Sequence, residues 1–168
     1  VGGRRGLRRE RRGGRLVILS HLGRPDGSGY VEKFSLKPVA DQLASLLGDD
    51  AQDGVFFPST DCTDEAARSA VADLKSGQVL LLENLRFHIG EMEDDATFAE
   101  KLAAYGDIYC NDAFGCSHRK HASVHALPAA MSDRPRVAGL LVADEMRFMD
   151  DALETPNKPF VAILGGAK

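Results

Sequence analysis

The residues most able to do chemistry crowd into 111–123, which reads N-D-A-F-G-C-S-H-R-K-H-A-S. Asn111, Asp112, His118, Arg119, Lys120 and His121 share this stretch with Gly115, and Phe114 is its only large apolar side chain. A core excludes that much charge. The stretch follows a short apolar run at 108–110, and a polar loop at the carboxyl end of a buried strand is where an open α/β sheet holds its ligands. Two other apolar runs end in the same way. His21, Gly23 and Arg24 follow 15–20, and Arg86 follows 79–82. Separate strands would thus deliver Arg24, Arg86 and Arg119 to one edge. Guanidinium forks match phosphate and carboxylate oxygens in pairs, so converging arginines make an anion pocket. A small phosphorylated acid is the expected ligand.

Other chemistries fit less well. The spacing His118-x-x-His121-x-x-x-His125 could suit a metal ion. No Cys or carboxylate completes that set, and Arg119 and Lys120 would repel a cation, so no metal site in the protein is expected. His118 and His121 are expected to hydrogen-bond the anion or the loop backbone, and His125 to be structural. Asp112 could be a general base or, beside Asn111 at a strand end, bond loop backbone, which is the commoner use of such a pair. Cys116 has basic neighbours that favour a thiolate, yet no base partner is placed for it, and it reads as a small loop residue. Residues 162–168, A-I-L-G-G-A-K, resemble a glycine turn through which Gly165, Gly166 and Lys168 could approach a phosphate. The turn lacks the G-x-x-x-x-G-K-[ST] of a P-loop.

The elements that must position these groups follow from periodicity. Short runs rich in Leu, Val and Ile at 15–20, 55–57, 79–82, 108–110 and 160–164 predict strands buried on both faces. Between them lie helical stretches. One starts after Ser35 with Leu36, Val39, Leu43, Leu46 and Leu47 inward and ends at Gly48; another spans 63–75 with Ala66, Ala67, Ala70, Val71 and Leu74 inward. A third spans 95–105 with Phe98, Leu102 and Ala103 inward, and a fourth spans 143–153. Strand, polar loop and helix in repetition predict a doubly wound, Rossmann-like parallel α/β sheet.

Charge divides the chain. Residues 1–15 carry seven arginines against Glu10, whereas the remainder holds 14 basic and 24 acidic residues, a net of −10. The acidic body argues against nucleic acid as a partner. The Arg/Gly-rich leader, 1–14, is expected to be disordered. No stretch approaches the length of a membrane span, and the leader has no apolar region of a secretory signal. Cys62, Cys110 and Cys116 form no C-x-x-C pair, which suits a reducing cytoplasm.

Five segments carry a family resemblance. S-H-L-G-R-P-D-G at 20–27, S-L-K-P-V-A at 35–40, L-L-L-E-N-L-R-F at 80–87, the 111–123 loop and F-V-A-I-L-G-G-A-K at 160–168 closely resemble phosphoglycerate kinase, in the family's order and spacing. The resemblance covers roughly 15–168. It implies an enzyme of two domains that transfers a phosphoryl group reversibly between 1,3-bisphosphoglycerate with ADP and 3-phosphoglycerate with ATP, with Mg²⁺ accompanying the nucleotide, in glycolysis. It implies a substrate-binding domain at 15–142, an interdomain hinge helix at 143–155, and the first strand and glycine turn of a nucleotide-binding domain at 156–168. His21, Arg24, Arg86 and Arg119 would contact the acid, and Lys168 the nucleotide phosphates. Family members are usually monomeric.

Two departures set further expectations. The family opens with a strand leading to D-F-N-V-P and an arginine that stabilises the transferring group. Neither is found here, so no catalytic residue is assigned. Most of the nucleotide domain is also absent from these residues, so the chain alone is expected to be inactive, or to bind 3-phosphoglycerate without turnover. The leader's abrupt change of composition at Gly14 suggests a gene-model artefact. Loss of an internal strand leaves its neighbours unpaired, which predicts marginal stability or aggregation. A sharp, cooperative thermal transition in a monodisperse sample would refute that expectation.

Overall fold

A computed structural model describes residues 13–51, 53–154 and, beyond these, 159, 161, 163 and 165. Its centre is built by alternation along short apolar strands. Strand β1, Leu16–Ile18, and strand β2, Val55–Phe56, both pair in parallel with the fully buried β3, Val79–Leu81, in the order β1–β3–β2. Leu16 lies opposite Val79 and Ile18 opposite Leu81. Successive side chains point to opposite faces. Leu80 and Leu82, with Val17 and Leu19, therefore enter one apolar cluster, while Leu81 and Val79, with Ile18 and Leu16, enter clusters on the other face.

A strand buried on both faces needs helices on both. Helix α1, Lys37–Leu47, covers the Leu81 face through Leu36, Ala40, Leu43 and Leu47. The opposite face is covered by α2, Glu65–Asp73, and, beyond the short α3, Ile89–Met92, by α4, Ala96–Ala103, and α5, Ala126–Ala130. The starts of α2 and α4 are set by aspartates: Asp64 accepts from the Ala67 N–H at 2.8 Å and Asp95 from the Phe98 N–H at 2.6 Å. A second parallel pair, β4, Tyr109–Asn111, and β5, Arg136–Ala138, leads into α6, Leu140–Glu154.

The α/β class and the parallel pairing agree with the sequence reading, and several details correct it. Among the described residues the strands fall into two sheets rather than one. Arg15 and Asp107, 3.8 Å apart, approach across the break between β1 and β4. On α1, Val39 and Leu46 are exposed, not inward. The buried stripe 36-40-43-47 is continuous at helical spacing, and Val39 and Leu46 sit one residue off it, where no element covers them. Ala66 is likewise exposed on α2. Helix α6 begins at Leu140 rather than 143, and α3 and α5 were not expected at all. The leader as far as residue 12 and most of the expected strand at 160–164 lie outside the described residues; Val161 and Ile163, which lie within them, are exposed and in no strand. Among the described residues no helix is long and apolar enough to cross a membrane.

The α1 correction can be measured. Leu47→Ala removes a side chain that is 5% exposed and should cost about 2–5 kcal/mol. Leu46→Ala, at a position 74% exposed, should stay within about 0.5 kcal/mol. Denaturant titrations of both variants give the comparison, and equal losses would overturn the assigned stripe.

Candidate anion-binding site

The site begins where β3 ends. Glu83, Asn84 and Arg86 are all buried, and buried polar groups need partners. Glu83 accepts from the Ser35 hydroxyl at 2.7 Å, the Leu36 N–H at 2.8 Å and the Asn84 N–H at 2.7 Å. The Asn84 amide donates to the Leu22 and Phe34 carbonyls at 2.8 and 3.0 Å, and its oxygen accepts from the Arg86 N–H at 3.0 Å. These bonds fasten the loop after β1 and the start of α1 to the end of β3.

Arg86 sits in the short turn Leu85–Phe87 with 6% exposure. One guanidinium nitrogen donates to the Gly23 carbonyl at 2.9 Å. Its Nε is buried with no partner at all. An orphaned donor on a buried cation is costly. Gly23 can take its place beside Arg86 because its φ is +68°, and a Cβ there would fall 2.5 Å from the Phe34 ring.

A cavity of about 250 Å³ opens in front of Arg86, lined by Arg24, Arg86, Met92, Arg119 and His121. Loops following three different strands thus meet at one basic pocket. His21 lies within the same field. Burial, then Arg86, His121 and Arg119, hold its pKa below the ordinary value. His121 is lowered by burial, Arg86 and Arg119 in the same way. Arg86 itself is pushed down by burial and by Arg119. Neutral imidazoles and mutually repelling guanidiniums describe a pocket short of negative charge.

The rest of the 111–123 loop serves mainly to hold itself. The Asn111 side chain accepts from the Ala113 N–H at 3.0 Å. Asp112 Oδ1 accepts from the Leu141 and Val142 N–H groups at 2.8 and 3.3 Å, at the start of α6. That is a capping role, and it speaks against Asp112 as a general base. Gly139 is required there, since a Cβ would lie 2.2 Å from the Asp112 carboxyl carbon. Among the described residues no hydrogen bond joins the Cys116 thiol to a base, and His118 is exposed outside the cavity lining. His125 pairs with Asp94 at 2.7 Å, so the three histidines do not converge on a metal position. Gly165 is exposed with nothing near it, and Gly166 and Lys168 lie outside the described residues.

One contributor escaped the sequence reading. Glu91 on α3 is 3% exposed and accepts from the Ser123 N–H at 2.9 Å and the Ser123 hydroxyl at 2.6 Å. Its backbone carbonyl takes the Ala122 N–H at 2.8 Å. Glu91 therefore anchors the end of the basic loop, with His121 Nδ1 3.7 Å away. No local periodicity marks this partnership, which joins residues more than thirty apart.

The sequence model of the phosphoglycerate kinase family matches residues 8–168. The chain belongs to the phosphoglycerate kinase family. It is 53% identical over 157 residues to phosphoglycerate kinase of Rhodopirellula baltica, covering 94% of this chain and 38% of that protein. It is 54% identical to the Chlamydia pneumoniae enzyme, covering 91% of this chain and 37% of the relative. Solved phosphoglycerate kinases share the fold. The Coxiella burnetii structure aligns with a TM-score of 0.73 at 34% identity, covering 89% of this chain and 35% of that one. The Pyrococcus horikoshii structure aligns with a TM-score of 0.78 at 29% identity, covering 99% and 40%. The chain thus spans well under half the length of these relatives.

Burial raises the Glu91 carboxyl pKa, outweighing the opposing Ser123 bonds and Arg86. A carboxyl raised on folding stabilises the fold below its unfolded value of 4.5 and loses that contribution as pH rises through the higher folded value. Unfolding free energies of the native chain and Glu91→Gln, measured from pH 4 to pH 8, should therefore show the native advantage shrinking as pH rises. An advantage that grows with pH would contradict the assignment.

Proposed function

We propose that this chain binds the acid substrate of a phosphoglycerate kinase, 3-phosphoglycerate or 1,3-bisphosphoglycerate, in the pocket of Arg24, Arg86, Arg119, His21 and His121. The observation that carries the reading is the meeting of three guanidiniums, Arg24, Arg86 and Arg119, with His121 around one cavity. Arg86 and Arg119 take the phosphate or carboxylate oxygens, Arg24 closes the outer side, and Gly23 and Asn84 hold Arg86 in place. Burial first and the guanidinium field second lower both imidazoles, and an arriving dianion opposes the second of these, so His21 and His121 gain basicity from its charge.

In this reading 15–142 is the acid-binding domain, 143–155 the hinge helix, and 156–168 the entry to a nucleotide-binding domain. Gly165, Gly166 and Lys168 meet the phosphates of ATP or ADP. The break between β1 and β4 corresponds to the family's first strand. Mg²⁺ enters with the nucleotide. The basic pocket does not fit it, because the groups lining the cavity are cations, a thioether and an imidazole. The residues described here therefore bind and orient the acid. Transfer in this family depends on positioning and charge neutralisation, and the groups that would act on the nucleotide side lie outside them. Binding without turnover is the activity proposed for the isolated chain, with full phosphoryl transfer in glycolysis, in the cytoplasm, belonging to the longer proteins it resembles.

Calorimetry with 3-phosphoglycerate tests this. Arg86→Ala and Arg119→Ala should each weaken binding by about tenfold or more, since charge-assisted bonds contribute roughly 1.5–3 kcal/mol. Glycerate, which lacks the phosphate, should bind far more weakly. A coupled assay with ATP should show no turnover. Unchanged affinity in both variants would overturn the pocket, and family-like turnover would overturn the binding-only reading.

A further inference from the structure

A second cluster of chemically able side chains lies outside the basic pocket. His88 follows the Leu85–Phe87 turn, and its Nε2 stands 3.2 Å from Asp61 Oδ1. The Cys62 sulfur completes the group, and the three ligand atoms all lie within 4.8 Å of one another. These residues come from two distant segments, the loop after β2 and the end of the β3 loop, so their convergence is a product of the fold. Each side chain is held. Asp61 Oδ1 accepts from the Thr63 N–H at 2.7 Å and the Thr63 hydroxyl at 3.1 Å. The His88 ring stacks on Phe98 with centroids 5.1 Å apart. The Cys62 carbonyl is fixed by the Tyr105 hydroxyl at 3.1 Å, and its side chain forms the buried floor at 1% exposure.

We propose that Asp61, Cys62 and His88 form a binding site for one zinc-like divalent cation. Sulfur, imidazole and carboxylate together select Zn²⁺ or Co²⁺ over Mg²⁺ or Ca²⁺, which prefer oxygen alone. In a tetrahedral zinc site with bonds of about 2.0–2.3 Å, ligand atoms stand roughly 3.5 Å apart. The Asp61–His88 separation already meets that spacing, and the Cys62 sulfur lies within 4.8 Å of both partners. Thr63 and Phe98 orient the carboxylate and the imidazole, the role that partners of metal ligands play elsewhere. His88 also borders an open cavity of about 310 Å³ lined by Gly27, Glu93 and Lys101. With three protein ligands the fourth position is left to water. On binding, the S–H bond of Cys62 breaks and its proton passes to solvent, the His88 proton shifts from Nε2 to Nδ1, and the sulfur, Nε2 and carboxylate oxygen each bond the metal. The ion then joins the loop after β2 to the segment that carries Arg86, two residues before His88.

The test uses the full chain with Cys110 and Cys116 changed to Ser, so that Cys62 is the only thiol. Titration with Co²⁺ should give one equivalent of binding, a thiolate-to-cobalt charge-transfer band in the near ultraviolet and the intense visible bands of tetrahedral cobalt. Zn²⁺ should displace the cobalt and Mg²⁺ should not. At a hundredfold excess over Kd, Zn²⁺ should raise Tm by roughly 5–10 °C. His88→Gln should weaken binding by about tenfold or more, and Cys62→Ala should abolish the charge-transfer band while circular dichroism shows a folded chain. If Cys62→Ala does not fold, His88→Gln and Asp61→Asn carry the comparison. Absence of a charge-transfer band, or metal affinity unchanged in His88→Gln and Asp61→Asn, would overturn the site and leave an Asp61–His88 hydrogen bond. 3-Phosphoglycerate binding is read separately, so failure of either assignment does not obscure the other.

Discussion

Glu83 and Asn84 are where the structure commits itself. Two polar side chains, each 1% exposed, stand at the end of the most buried strand, and together they receive or give six hydrogen bonds to Ser35, Leu36, Leu22, Phe34, Arg86 and Asn84's own amide. Removing one partner from such a set leaves a desolvated group unpaired, which costs more than the bond contributed. The bonds are also directional. They set where α1 begins, where the loop after β1 lies and which way the turn carrying Arg86 faces. Helix packing could tolerate small shifts in any of these, and the hydrogen bonds cannot. The result is that Arg24 and Arg86, from different strands, are held against one another despite like charge.

That repulsion is the other half of the arrangement. Arg24, Arg86 and Arg119 share a small cavity, and burial of Arg86 removes much of the water that would screen them. Natural proteins retain such unfavourable groupings where binding relieves them. Glu91 answers part of the charge from behind the loop, but burial disfavours its ionised form. The pocket is therefore under-neutralised when empty, with neutral His21 and His121 at its edge. On the proposed reading a dianion gains from all of these at once, in a geometry that Glu83 and Asn84 already hold.

Much of this was legible in the sequence because it is local. Runs such as 79–82 declare a strand buried on both faces, and a run of that kind obliges helices on each side. The arginines of the pocket were readable as a set because each follows the carboxyl end of a strand, although β4 lies in a different sheet from β1 and β3. What escaped was long-range. Val39 and Leu46 lie within a helical turn of the true stripe on α1, and periodicity alone cannot tell a flank from a centre when no neighbour covers it. Helices α3 and α5, with four and five residues, are too short to show a period. Glu91 and Asp61 find their partners across the fold, so neither looks different from an ordinary surface acid. The start of α6 moved to Leu140 for the same reason, because its cap, Asp112, comes from a loop some thirty residues earlier.

That cap has a mechanical consequence. Asp112 belongs to the loop that presents Arg119, and its carboxylate holds the first turn of α6. Gly139 lets the two approach so closely that even a methyl group would not fit between them. A helix start held by two charge-assisted bonds and a tight steric contact cannot rotate without moving the aspartate. The aspartate, in turn, follows Asn111 at the end of β4, whose side chain organises the next turn of the loop. The first residues of the basic loop and the start of α6 are therefore held by the same carboxylate.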